Sequence, residues 1–195
     1  MCDKAGRKEC RSYLTKLLRG FSEEEVAAYA KNVLKQEAGL PLGQDLLHES
    51  PEDEEAVWIA RGLRLVPEML DLARLLLDAG FEVWISDMEP QPVLEAAIEA
   101  CGLKPARAAG IQQSPLRGKL SGKVTEPVPI RGGKTEAIVS KTGREPLLAL
   151  GGSSDDLDLM NYGSGVRVWL DRGDSELAQA AQEKGWLIQT SFIQD

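Results

Sequence analysis

Apolar positions recur at helical spacing from the start of the chain. Tyr13, Leu14, Leu17 and Leu18 share one side of a helix expected over residues 7 to 19 and ended by Gly20. Ser22 opens a second helix, with Glu25 three residues on as a capping box and Phe21 and Val26 spaced as a hydrophobic staple. Val26, Tyr29, Ala30, Val33 and Leu34 form its stripe, and Gly39 stops it. Residues 40 to 55 mix apolar and acidic residues around Pro41 and Pro51 and read as a connection, with His48 a solvated loop residue. No strand is expected ahead of residue 62.

From residue 62 the pattern alternates between helix and strand. Pro67 to Ala79 keeps Met69, Leu70, Ala73, Leu76 and Leu77 at helical spacing and ends at Gly80. FEVWIS, residues 81 to 86, reads as a strand, and Pro92 to Cys101 as a helix. Residues 104 to 131 are turn-rich, with GKLSGKV as a hairpin. A helix over Thr135 to Lys141, a strand over Leu147 to Leu150 and a helix from Asp156 follow. The strand VRVWLD, a helix over residues 174 to 184 and the short strand WLIQ complete the chain. This order predicts an α/β fold with a parallel sheet covered by helices on both faces. The chain divides into a helical segment, 1–61, and an α/β unit, 62–195.

A length of 195 residues suits one domain with a small appendage. The net charge of -8 argues against nucleic-acid and anionic-membrane partners. No apolar run is long enough to span a membrane, and the first ten residues lack the apolar segment of a signal peptide. A cytoplasmic location is therefore expected. Cys2, Cys10 and Cys101 have no paired spacing, so reduced thiols are expected.

The densest chemistry lies in LLALGGSSDDLDLM, residues 147 to 160. An apolar run bounded by glycine reads as a buried parallel strand, and ligands bind beyond the carboxyl ends of such strands. Asp155 and Asp156 fall there. Two adjacent acids repel unless a cation lies between them, and hard oxygen donors suit magnesium. Alternatively, Ser153 or Ser154 caps a helix and the aspartates favour its dipole. Ser86 and Asp87 end FEVWIS, and Lys134 follows the glycine pair of RGGKTEAI. A hydroxyl, an ammonium and a metal-binding carboxylate pair at one sheet edge would hold a phosphate group. RGGKTE has the triplet of a nucleotide-binding loop but lacks its earlier glycine and preceding strand.

From Gly62 onward these segments resemble the haloacid dehalogenase-like phosphatases, and most of all the branch containing phosphoserine and phosphorylcholine phosphatases. RLVPEMLDLARLLLDAGFEVWIS is similar to the approach to that family's second motif, GGKTEAI to its third and LALGGSSDDLDLM to its fourth. The segment before residue 62 resembles the helical cap of that family. The resemblance implies a magnesium-dependent phosphomonoester hydrolase acting on a small phosphorylated metabolite through an aspartyl-phosphate. It makes Lys134, Ser86 and Asp87 the catalytic candidates, Ser86, Gly133 and Lys134 the phosphate ligands, and Asp156 with Asp155 the magnesium ligands.

The sequence also departs from that family. Its nucleophile is the first aspartate of a DxD motif after an N-terminal strand, and Asp3 is followed only by Lys4 and Ala5. The missing strand would be central, so its absence should leave a gap or unpaired sheet edges. Aligned by its proline, the second motif puts Asp87 rather than Ser86 at the phosphate position. Gly152 stands where an acid or amide is common. A truncated or degenerate, non-catalytic relative is the alternative. A choline-type substrate would need an aromatic box. Tyr13, Tyr29 and Trp58 are its only candidates in the front segment, and at least two of them read as core residues.

Overall fold

The structure is a computed structural model, and it describes residues 6–48, 56–190 and 192. Two helices come first, α1 (Arg7–Lys16) and α2 (Glu23–Ala38). Ser22 and Glu25 cap α2 reciprocally: the Ser22 N–H donates to Glu25 Oε2 at 2.7 Å, and the Glu25 N–H donates to Ser22 Oγ at 3.1 Å. An antiparallel hairpin follows, β1 (Gly43–His48) and β2 (Val57–Arg61). It corrects two expectations, a front segment without strands and a loop at His48. Its strands lack alternating burial, and backbone pairing together with the Arg61–Asp45 ion pair (2.7 Å) holds them. Without alternating burial, the two strands carry no period-two signal that the sequence could show.

The α/β unit runs α3 (Pro67–Asp78), β3 (Trp84–Pro90), α4 (Gln91–Ala100), β4 (Arg107–Leu116), β5 (Lys119–Thr125), α5 (Gly132–Thr142), β6 (Leu148–Gly151), a 3-10 turn (Ser154–Asp156), α6 (Leu157–Asn161), β7 (Val166–Leu170), α7 (Ser175–Glu183) and β8 (Leu187–Gln189). Strand β3 starts later than FEVWIS suggests. Phe81 donates its N–H to the Leu76 carbonyl at 2.9 Å and Gly80 to that of Leu77 at 3.0 Å, the double bond of a Schellman cap. Phe81 therefore closes the helix and leaves pairing to begin at Trp84.

The expected hairpin is also displaced. Residues 119 to 125 form a single strand, and the turn falls at Arg117 and Gly118, with φ of 53° and 75°. A two-residue hairpin turn needs both central residues in the left-handed region, and arginine is not the residue that announces it.

Strands β3 and β4 are parallel, and β5 joins β4 antiparallel. Strands β6, β7 and β8 form a second, wholly parallel sheet. No ladder joins the two sheets among the described residues, and β3 and β6 each end a strand order. Each of the two sheets thus has an unpaired edge, at β3 and at β6, among the described residues. Alternating residues of β3 and β4 feed opposite faces. Ile85 and Ala108 pack with Leu94 and Ile98 of α4, whereas Trp84 and Ala109 pack with Ala137 and Ile138 of α5.

Helix α1 buries a face other than its apolar stripe. Cys10 and Thr15 are buried, while Tyr13, Leu14 and Leu17 are exposed. Polar tertiary contacts orient it. Gln113 Nε2 donates to the Thr15 carbonyl at 2.5 Å, and Arg11 pairs with Glu89 at the end of β3 at 2.9 Å. Tyr13, Tyr29 and Trp58 are each at least half exposed, against the expectation that two of them are core. Cys10 is disulfide-bonded, which corrects the expectation of three reduced thiols, and Cys101 is free. Widely spaced cysteines carry no pairing signal that the sequence alone reveals.

Candidate functional site

The loop from Val128 to Lys134 and the turn after β6 build the site. Val128, Pro129 and Ile130 are buried and fix the loop. Arg131 follows with φ 51° and ψ −125°, a strained backbone for a residue with a Cβ. Gly133 is needed for close approach: a Cβ there would stand 1.8 Å from the Val128 carbonyl oxygen. The Gly133 N–H donates to the Ile130 carbonyl at 3.0 Å, so it is spent within the loop. This packing aims Lys134, whose side chain is 6% exposed, at Asp156.

Lys134 Nζ donates to Asp156 Oδ1 at 2.5 Å. Asp156 Oδ2 accepts from the Gly152 N–H at 3.0 Å, the Ser153 N–H at 2.9 Å and the Ser153 hydroxyl at 2.8 Å. Burial pushes the Asp156 carboxyl up, but the Lys134 ammonium and the Gly152 and Ser153 donors outweigh it and hold the group below its usual value. The contacts to Ser153 show that Asp156 also closes the start of its helical turn. Gly152 has no room for an acid or amide side chain, because a Cβ there would lie 2.8 Å from the Leu170 carbonyl oxygen.

Asp155 is 2% exposed. Arg7 of α1 donates to its Oδ2, and Arg131 Nε lies 3.7 Å from its Oδ1. Arg7 and Arg11, one helical turn apart, thus tie α1 to the turn after β6 and to the end of β3. Ser86 and Asp87 lie half-buried on β3. Ser86 Oγ donates to the Ala109 carbonyl at 3.4 Å, and no hydrogen bond or ion pair among the described residues joins either one to Lys134, Asp155 or Asp156. Of the sequence candidates, the structure brings together Lys134 and Asp156, and sets Asp155 beside them in the same turn. Sequence reasoning missed Arg7 and Arg131, and offered Ser153 only as a helix cap, the role it takes at Asp156. Arg131 was legible beside the glycine pair; nothing local marked Arg7.

A carboxylate offers about four acceptor positions. Asp156 spends them on Lys134, Gly152 and Ser153, and Asp155 faces two arginines. Among the described residues no cluster of three or more acids, histidines or cysteines converges. Arranged in this way, the pair gives a divalent cation no open donor set.

No family model matches the chain, and no curated protein matches it. Solved structures do. A conserved protein of unknown function from Anaerococcus prevotii DSM 20548 matches with TM-score 0.74 and 21% identity, over 88% of this chain and 50% of that one. A protein of unknown function from Bordetella pertussis Tohama I matches with TM-score 0.68 and 16% identity, over 96% of this chain and 77% of that one. Cytosolic 5'-nucleotidase IIIB bound to cytidine matches with TM-score 0.52 and 11% identity, over 90% of this chain and 55% of that one. The chain spans about half the length of the first of these. Parallel strands with covering helices, shared with such neighbours, make this an α/β fold.

Proposed function

We propose that this chain serves a phosphomonoester hydrolase acting on a small phosphorylated metabolite. The observation that supports this most is the largely buried Lys134–Asp156 pair beyond the carboxyl end of β6, on an α/β fold whose segments resemble the haloacid dehalogenase-like phosphatases. In that chemistry a carboxylate oxygen attacks phosphorus, and the ester oxygen leaves with a proton. Water then cleaves the aspartyl-phosphate, releasing phosphate and restoring the carboxylate. Lys134 would hold the phosphoryl oxygens with a point charge, and Ser86 would donate to them. The resemblance implies magnesium at Asp155 and Asp156; their present contacts leave it no open set, so no step here runs through it.

The resemblance puts the nucleophile on a strand that this sequence does not match. The activity is therefore proposed for a form that carries such a strand, ending in Asp-x-Asp. That form should hydrolyse a generic phosphomonoester and lose the activity on Lys134→Ala. Absence of hydrolysis by that form would sink the proposal. The saturated carboxylates and separate sheets favour a second reading, a non-catalytic relative that binds a ligand or partner. Phosphate binding without turnover by the longer form would support it.

A further inference from the structure

We infer that Arg7 is a built-in counter-ion at Asp155, so that docking of α1 and binding of a divalent cation there exclude one another. A carboxylate that is 2% exposed is stable in its charged form only with a compensating cation. The chain provides one from 148 positions away, at Asp155 Oδ2. Arg131 lies 3.7 Å from the remaining oxygen, and Lys134 takes the acceptor of the neighbouring aspartate. A divalent ion at Asp155 would meet three positive side chains, so it enters only where Arg7 leaves. Asp158, whose carboxylate lies 3.8 Å from the place of a Cβ on Gly132, adds negative charge nearby but touches none of these cations. Helix α1 is held at a second point by Arg11 and Glu89, which makes Arg7 a clamp with an anchor. The inference concerns the site of the proposed function, but its test reads metal binding and not hydrolysis, so each can fail alone.

Manganese is the probe, with binding followed by its electron paramagnetic resonance signal. Arg7→Gln should bind manganese roughly tenfold or more tightly than the unaltered protein. Adding Asp155→Asn should abolish that gain, and Arg7→Lys should behave as the unaltered protein does. Equal affinity in Arg7→Gln and the unaltered protein would overturn the inference. A second measurement needs no variant. The guanidinium resonances of Arg7 should shift as magnesium is titrated into the unaltered protein only at concentrations where the ion binds. Magnesium bound at Asp155 with the Arg7 resonances unmoved would overturn it equally.

Discussion

Arg7 donates a hydrogen bond to Asp155 across 148 positions of sequence, and the carboxylate that receives it is buried. Removing the guanidinium leaves Asp155 with Arg131 alone, 3.7 Å away. Arg7 is 56% exposed, so solvent screens much of the pair. Arg7→Ala is expected to cost about 1–2 kcal/mol in chemical denaturation. Adding Asp155→Asn should recover most of that loss, since the uncompensated charge goes with it.

Acid should weaken the fold through Asp156. Its carboxyl is held below the usual 3.8 when folded, so its contribution is complete above that value and is lost as pH falls through the folded one. Denaturation followed from about pH 6 to about pH 3 should show falling stability, with a shallower fall in Asp156→Asn. An identical slope in both proteins would contradict the assignment.

Gly133→Ala should be among the costlier single changes in the α5 loop. The new Cβ would overlap the Val128 carbonyl, 1.8 Å away, and that carbonyl belongs to a buried, fixed segment. A loss of about 3 kcal/mol is expected. Gly143→Ala, where a Cβ meets nothing but φ is 64°, should cost only about 1 kcal/mol. Thermal denaturation of the two variants separates crowding from backbone strain.

Arg167 on β7 is 6% exposed and spends its donors on main-chain carbonyls. It donates to Met160 at 2.8 Å, Val166 at 3.0 Å, Pro146 at 3.4 Å and Tyr162. Burial lowers its pKa from the usual value. Arg167→Met keeps the stem and strands those acceptors, so a loss of about 2–4 kcal/mol is expected in chemical denaturation.

The sequence by itself determined the alternation of helix and strand from Pro67 onward, apart from the long strand β4 in the run expected to be turn-rich, and apart from Ser86, which was expected to end its strand and lies inside β3. It also determined the Ser22 capping box, and the placement of Lys134 at a helix start and of Asp155–Asp156 after a strand. Those features are local: periodicity, caps and glycine punctuation act within a few residues. The tertiary structure alone decided which face α1 buries, because Arg11–Glu89 and Gln113–Thr15 outweigh a stripe of Tyr13, Leu14 and Leu17. It decided that Gly133 is a packing glycine, that Ser86 donates to a strand carbonyl, and that Asp155 and Asp156 face the chain's own cations. The pairings of Asp155 and Asp156 depend on groups far apart in sequence meeting where a buried charge must find a partner. No local pattern encodes which partner that is.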